Sequence, residues 1–370
     1  MNPVKRALLS VAAPVLAIVI AGVVASGLLL STGDDVAAFW STMLQMPGAG
    51  SWVDIFNATA ALYLSGIAAA IGFRMNLFNI GVEGQYRIGF FFAAAFAGQG
   101  WLPGLLNSLV AVLIAMLVGA LWAGIAGLLR VYRGVSEVIS TIMLNSIAGL
   151  LVGLLLQKWG VASGVSRHTK DLPESSHVPG ISMLGANVQF FGLGVLAVVV
   201  GIAYWVILNR TSFGFDLRAT GASETAAVAS GVSVKRMVVT SMLLSGAVAG
   251  LIGMPVLFGS SYNYGSSFQT GLGFLGIAVA LLGRNNPIGV AIGALVFAFL
   301  SAKGPVLNIV AGLSPEIVGV TQGVIVLAVV IAYELVRRYR NALEQRSVAA
   351  ELGQGPAAPP AEPEKKEVSV

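Results

Sequence analysis

Long runs of apolar residues, separated by short polar segments, recur along nearly the whole of this chain. A run of about 20 apolar residues is long enough to cross the hydrocarbon core of a bilayer as a helix. We predict about ten such spans, near residues 7–30, 54–73, 77–99, 104–129, 136–157, 190–208, 237–258, 269–283, 287–303 and 317–335. Because backbone polar groups must be satisfied within lipid, the pattern predicts an all-α polytopic membrane protein.

The composition agrees with a chain that lies mostly within a membrane. Of its 370 residues, 56% are hydrophobic and 10% are charged, whereas a soluble domain carries about 25% charged residues. The 46 glycines suit close packing of helices in lipid, where small residues let backbones approach each other. Cysteine is absent, which excludes a disulfide framework, thiol catalysis and a cysteine-based metal site.

The positive charges predict the orientation of the spans. With ten spans and the N-terminus inside, most of the 21 Lys and Arg residues fall in cytoplasmic segments, and Arg87 lies near a membrane boundary. Cytoplasmic loops retain Lys and Arg, so we predict that both termini are cytoplasmic. This topology also accounts for the net charge of +5, and the sequence gives no signal for nucleic-acid binding.

The predicted organisation comprises one membrane domain, an outer loop within it and a C-terminal tail. Residues 1–346 form a transmembrane domain, and residues 160–189 form an outer loop that contains His168 and His177. These two histidines lack the close spacing and the cysteines that are typical of a metal site, so we predict no bound metal. Residues 347–370 are rich in Pro, Ala, Glu and Lys without apolar periodicity, which predicts a disordered cytoplasmic tail.

The polar segment at residues 209–236 carries four cations between two apolar runs, which places it on the cytoplasmic side. Within it, the residues from Gly221 to Gly231 are nearly all small. Ser223 suits the N-cap of a helix, Glu224 suits its first turn and Gly231 suits its end. A short, smooth helix of this kind fits docking into the cleft of a partner, although an ordinary alanine-rich loop has the same composition.

A second polar segment, Gly72 to Gly89, interrupts an otherwise apolar stretch. Its polar and charged residues are Asn76, Asn79, Glu83, Gln85 and Arg87. A charge within a membrane segment usually faces the bundle interior or an aqueous path. Neighbouring glycines favour a broken or re-entrant helix, which lipid tolerates only where protein or water surrounds it. A cytoplasmic turn between two spans is the alternative, and the sequence leaves both open.

Four further residues are candidates for contact with a solute. They are Phe78, Asn145, Gln269 and Gln322, which join Asn79, Glu83 and Gln85 of the second polar segment. Neutral amides suit an uncharged, hydroxyl-rich solute, and an aromatic ring can stack on a base. Hydrogen bonds between helices and ordinary packing explain the same residues equally simply.

Four segments, taken together, resemble the permease family of ATP-binding-cassette (ABC) importers for simple sugars and nucleosides. They are FNIGVEGQ at Phe78–Gln85, SEVISTIMLN at Ser136–Asn145, GIAVALLGRNNPIG at Gly276–Gly289, and PEI at 315–317. The resemblance extends over about residues 54–333 and looks closest to nucleoside permeases.

The segment at residues 221–236 also resembles the coupling-loop motif of ABC importer permeases, which reads Glu-Ala-Ala, three residues, then Gly. Ala226, Ala227 and Gly231 match it, whereas Thr225 stands at the family's glutamate position and Glu224 lies one residue earlier. The resemblance implies that this helix receives the force of ATP hydrolysis from a separate subunit. The implied coupling residues are Gly221, Glu224, Thr225, Ala226, Ala227 and Gly231.

The resemblance implies a multi-pass subunit of the bacterial inner membrane that binds no cofactor itself, with ATP and Mg on a partner ATPase. It further implies a second, related permease in a heterodimer, an external substrate-binding protein that meets the outer loop, and a nucleoside or simple sugar as the solute. The chain has no phosphate loop and no histidine-based catalytic arrangement, which predicts that it is not itself an enzyme. An ion-coupled secondary transporter and a non-transporting scaffold are the alternatives.

Overall fold

A computed structural model describes residues 3–353, except residues 165, 186, 266, 267 and 315. The helices are α1 (Pro3–Thr32), α2 (Val36–Leu44), α3 (Ala49–Arg74), α4 (Val82–Ala97), α5 (Gly104–Arg133), α6 (Glu137–Trp159), α7 (Val195–Arg210), α8 (Ser212–Ala222), α9 (Glu224–Ala229), α10 (Val234–Gly250), α11 (Met254–Val256), α12 (Leu272–Leu282), α13 (Pro287–Ala311) and α14 (Glu316–Gly353). A π-helical turn, Leu257–Ser261, continues α11.

The predicted outer loop contains short strands and one helical turn. Strand β1 (Val161–Ser163) pairs with β2 (Ser166–His168), and β3 (Ile181–Ser182) pairs with β4 (Gln189–Phe190), both antiparallel. Backbone bonds tie the loop to the segment after α11, since Thr169 N donates to Tyr264 O and Leu172 N donates to Tyr262 O. The loop therefore packs on one end of the bundle.

Seven helical segments in the described part of the chain are long and apolar enough to cross a membrane. They are 49–74, 104–133, 137–159, 192–210, 234–261, 287–310 and 316–336. This confirms the all-α polytopic membrane protein. The predicted spans near 7–30, 77–99 and 269–283 correspond to α1, α4 and α12. The total of ten and the cytoplasmic side of both termini stay predictions.

Two of these predicted spans form shorter helices than expected. The helix α4 has 16 residues and α12 has 11, so they are about 24 Å and 17 Å long, below the roughly 30 Å of the hydrocarbon core. The predicted span near 77–99 is a helix only from Val82, because Asn76 has a φ of +57° and polar residues follow it. A broken or re-entrant helix and a turn between two spans both contain such a break, so the two alternatives for this segment stay predictions.

Helix ends follow the local sequence chemistry. The Asn286 side chain accepts hydrogen bonds from Ile288 N and Gly289 N, and Pro287 occupies the first position of α13. The helix α5 ends at Gly134, which has a φ of +66°. The helix α14 continues to Gly353, so residues 347–353 of the predicted tail are helical, because Ala, Glu and Leu favour helix. Residues 354–370 lie outside the described residues.

The centre of the bundle is built from α3, α4, α5, α10 and α12, which pack against one another. Helix α3 is buried over most of its length, and α4 is buried on nearly every face. A helix that is buried all round lies in the core of a large protein. The polar segment that precedes and begins α4 is therefore at the centre of the molecule.

Glycines allow α5 and α10 to cross with their backbones in contact. A Cβ atom on Gly119 would collide with Gly246 O, and one on Gly246 would collide with Gly119 O. A Cβ on Gly250 would likewise collide with Ala115 O. Small residues at such crossings replace the hydrophobic driving force that is missing in lipid.

We expect Gly246→Ala to destabilise the protein, because the added methyl group has no space between α5 and α10. The cost should be about 1–3 kcal/mol, which is typical of overpacking. Thermal unfolding in detergent measures the loss. The control is Gly153→Ala on α6, where an added Cβ meets nothing within 4 Å. Equal melting temperatures for the two variants would contradict the close crossing.

Candidate functional site

The loop at residues 75–81, between α3 and α4, is held by a reciprocal pair of amides. Asn79 Nδ2 donates to Gln85 Oε1 at 3.0 Å, and Gln85 Nε2 donates to Asn79 Oδ1 at 2.9 Å. Asn79 Nδ2 also donates to Ser245 Oγ at 2.8 Å, and Gly81 N donates to Asn79 Oδ1 at 3.0 Å. Both amide side chains are buried. Their polar atoms therefore fix the loop and are not presented at the surface.

Two other candidate residues bond one helix to another segment. Asn145 Oδ1 on α6 accepts from Gly84 N at 2.8 Å, and its Nδ2 donates to Ile80 O at 2.9 Å. Gln322 Nε2 on α14 donates to Phe297 O at 3.1 Å and to Ser301 Oγ at 2.9 Å. These contacts are the hydrogen bonds between helices that were the alternative explanation of both residues.

The buried Glu83 connects α4 to the start of α12. Its Oε1 accepts from Gly271 N and its Oε2 accepts from Gly273 N, both at 2.9 Å. A carboxylate is favourable at the N-terminus of a helix, where the helix dipole is positive. Arg87 Nη2 lies 3.6 Å from Glu83 Oε1, so an opposite charge accompanies the carboxylate.

Arg87 gives one surface of the bundle a charged and polar character. Its side chain is 25% exposed, and its guanidinium carbon lies 5.0 Å from the ring centre of Phe268. Gln269 is exposed, and Gly149 of α6 lies beside the Arg87 guanidinium. We call Arg87, Gly149, Phe268 and Gln269 the Arg87 face. A charge exposed to lipid is costly, so this face is suited to an aqueous path or a protein partner.

Aromatic residues support the Arg87 face from within. The ring of Tyr86 stacks on Phe268 with 4.8 Å between centres, and Tyr264 lies 5.1 Å from Phe268. Burial raises the pKa of Tyr264 to about 12, although Arg87 opposes this shift. The Tyr264 hydroxyl is therefore neutral throughout the physiological pH range.

The predicted coupling helix forms as α9. The Ser223 hydroxyl accepts from Ala226 N at 3.3 Å, and Gly231, with a φ of +84°, follows the end of the helix. Ala227 is 2% exposed and faces the protein, whereas Val228 is 62% exposed. Thr225, Ala226 and Glu224 are also exposed. The structure thus separates a buried side of this helix from an open one.

A chain of polar contacts that the sequence analysis missed joins α9 to the loop at 75–81. Arg130, near the end of α5, forms ion pairs with Glu137 and, at 3.7 Å, with Glu224. Glu137 Oε1 accepts from Phe78 N at 3.3 Å. We call these four residues the Arg130 bridge. Phe78 and Glu224 are distant in sequence from Arg130 and Glu137, so no spacing pattern indicates the bridge.

Phe78 and Gly221 lie at the same end of the bundle as α9. The Phe78 side chain is 47% exposed and packs edge-on against Phe73. A Cβ atom on Gly221 would collide with Arg74 O and approach Met75 Cα to 3.0 Å. Arg74 in turn donates to Asn285 O from Nε and Nη2. The segment around α9 therefore touches both the end of α3 and, through the Arg130 bridge, the following loop.

The other polar groups and cavities among the described residues are less suited to binding a solute. His168 Nδ1 lies 3.5 Å from Asp171 Oδ1, whereas His177 stacks on Tyr262, so the two histidines have separate surroundings. Among the described residues, no three His, Cys, Asp or Glu form a group suited to a metal. A groove of about 750 Å³ between α3, α7 and α13 has mostly apolar lining residues, including Trp205 and Ile288.

Comparison with known proteins identifies relatives over most of the chain. Residues 51–330 match the family model described as branched-chain amino acid transport system / permease component. The guanosine ABC transporter permease protein of Bacillus subtilis is 33% identical, over 87% of this chain and 93% of that protein. A nucleoside ABC transporter permease protein of Lactococcus lactis is 34% identical, over 74% and 77%. A glucose ABC transporter permease protein of Haloferax volcanii is 30% identical, over 78% and 77%.

We expect Asn79→Ala to destabilise the protein by about 1–3 kcal/mol, because buried groups of Gln85 and Ser245 lose their partner. Thermal unfolding in detergent measures this loss. Gln269→Ala is the control, since its side chain is exposed and should change the melting temperature little. If Asn79→Ala unfolds like the control, the amide pair does not hold the loop.

Proposed function

Because this chain belongs to the family described as branched-chain amino acid transport system / permease component, we propose that it forms the translocation path for nucleosides in its importer. It is a permease subunit of an ABC importer and a multi-pass protein of the plasma membrane. Such permeases do not catalyse ATP hydrolysis, which is the task of separate ATPase subunits. A substrate-binding protein and an ATPase are therefore its partners.

The choice of nucleosides is supported by the names and coverage of the relatives. The two relatives named for guanosine and nucleosides share 33% and 34% identity with this chain. The relative named for glucose shares 30%, so a simple sugar is the second candidate solute. The identity over 87% of the chain is the observation on which the proposal depends.

The proposed site for the ATPase is the open side of α9. Its exposed residues include Thr225, Ala226, Val228 and Ala229, and the two alanines allow close approach of a partner backbone. ATP and Mg bind to the ATPase in this proposal, and this chain holds neither. The exposed carboxylate of Glu224 is directed to Arg130, so it contributes to the inner side of the contact.

The proposed coupling acts on the loop at 75–81 from two sides. Displacement of α9 acts on Arg74 and Met75 through Gly221, and on Phe78 through the Arg130 bridge. The loop leads directly into α4, whose Glu83 holds the start of α12. For ATP binding to bias this movement, the ATPase must contact α9 differently in the two states.

A second permease subunit is proposed to cover the Arg87 face. A charged group on this face would be costly against lipid, whereas a water-containing path between two permeases would accommodate it. The second subunit is proposed to be a related but different chain. The loop at 160–189, packed on the opposite end from α9, is the proposed contact for the substrate-binding protein.

Reconstitution of the complete importer in vesicles tests the function. We expect uptake of a radiolabelled nucleoside that requires ATP on the side of the membrane where the ATPase lies. Excess glucose should not reduce this uptake. Glucose uptake without nucleoside uptake would replace the proposed solute. Nucleoside uptake driven by a proton or sodium gradient without ATP would favour a secondary transporter, and the absence of any uptake would favour a scaffold.

We expect Ala226→Trp to abolish ATP-dependent uptake at normal expression, because a large side chain on the open side of α9 blocks the ATPase. Ala227 is unsuitable for this test because it is buried. The control is Ala37→Trp, an equal enlargement of an exposed residue on α2, outside both α9 and the loop at 160–189. Co-purification of the ATPase reports docking directly. Retained uptake by Ala226→Trp would contradict docking at α9.

We expect Arg130→Gln to lower uptake per ATP hydrolysed by about tenfold, because the Arg130 bridge no longer joins α9 to Glu137. The ratio of uptake to hydrolysis in vesicles measures the change. Arg133→Gln provides the matched control, since Arg133 is exposed near the same helix end and forms no ion pair with any residue in the described ranges. An unchanged ratio in Arg130→Gln would exclude the bridge from coupling.

A further inference from the structure

The guanidinium of Arg87 has hydrogen-bonding capacity that the fold does not use. An arginine has five N–H donors, yet no hydrogen bond from Arg87 joins it to another described residue. Its closest polar partner is Glu83 Oε1, 3.6 Å from Nη2, and its Nε is buried without a partner. The Nη1 and Nη2 donors lie at the exposed part of the side chain, where an acceptor from outside the chain can bond to them.

The charge of the surroundings restricts what that acceptor can be. Glu83 lies beside Arg87, and its two oxygens already accept from Gly271 N and Gly273 N. The pair together carries no net charge when both groups are ionised. A neutral ligand with carbonyl or ring-nitrogen acceptors therefore fits this position better than an anion, which would be repelled by the carboxylate.

The aromatic residue beside Arg87 restricts the ligand further. The ring of Phe268 is half-buried and is held in place by the stacked ring of Tyr86. The guanidinium carbon lies over this ring, 5.0 Å from the ring centre. The ring therefore holds the guanidinium in place, and a planar ligand with acceptors on one edge can meet the guanidinium donors edge to edge.

We propose that Arg87 and Phe268 form a subsite that recognises the carbonyl-bearing edge of a purine base as the solute passes the Arg87 face. The subsite deepens the proposed nucleoside transport and depends on it. An arginine matches the O6 and N7 acceptors of guanine with two parallel hydrogen bonds. Adenine presents an amino group in place of O6, which opposes a donor to a donor. The subsite therefore favours 6-oxopurine nucleosides over 6-aminopurine nucleosides.

Gly149 of α6 is part of the same subsite because it leaves room for the guanidinium. A Cβ atom at this position would lie 3.0 Å from Arg87 Nη1. At this distance the guanidinium has to give way by a few tenths of an ångström, which changes the direction of its donors toward the ligand. Gly153 lies one turn further along α6, and a Cβ there meets nothing within 4 Å. The two glycines give a matched pair for a test.

The test uses the complete importer in vesicles, with the substrate-binding protein loaded to saturation with either guanosine or adenosine. Uptake is measured against the concentration of loaded binding protein, so that the preference of the binding protein itself does not enter. We expect Arg87→Lys, which keeps the charge but loses the planar fork, to lower the preference for guanosine over adenosine about tenfold.

Gly149→Ala should lower the same preference, and Gly153→Ala should leave it unchanged, whether or not Arg87→Lys assembles well. A purely structural role of Arg87 would reduce the uptake of both nucleosides equally and would overturn the subsite. A wild-type importer that carries nucleosides, with an unchanged preference in Arg87→Lys and Gly149→Ala, would also overturn it. If the wild-type importer carries no nucleoside, the proposed function fails first, and the subsite fails with it.

Discussion

The structure depends on the requirement that backbone polar groups within the membrane find partners inside the protein. The loop at 75–81 breaks the regular helix at the centre of the bundle, and the buried amides of Asn79 and Gln85 satisfy each other there. Asn145 adds bonds to Ile80 O and Gly84 N. Without these side chains the open backbone of the loop would be exposed to an apolar interior. Helix α4 begins directly after this loop, at Val82.

The same polar groups connect regions that move together in our proposal. Glu83 ties the first turn of α4 to the start of α12, and the Arg130 bridge ties the loop to α9. The helices α5 and α10 cross through glycine contacts and so provide a firm frame beside the loop. In the proposed coupling, a force applied at α9 reaches the centre of the bundle through these contacts.

The sequence predicted several parts of the fold and the candidate site because their signals are local. The cap at Ser223, the helix α9 and the stop at Gly231 follow from residues within one short segment, and the structure contains all three. The polar residues and glycines of the segment before α4 also predicted a break in the helix there. The role of Asn145 and Gln322 was not decided, because an amide in a span suits both a solute and a neighbouring helix, and only their partners distinguish the two.

By itself, the sequence determined the membrane class, the family and the existence of the coupling-like helix, since apolar run length, motif order and capping residues are properties of consecutive positions. Only the tertiary structure decided which polar residues form hydrogen bonds within the protein and which keep donors without an internal partner. Arg87 belongs to the second group, although the sequence suggested only that it lies near a membrane boundary. The reason is that hydrogen bonding and burial depend on residues such as Glu83, Gly149 and Phe268, which folding brings together from distant parts of the chain.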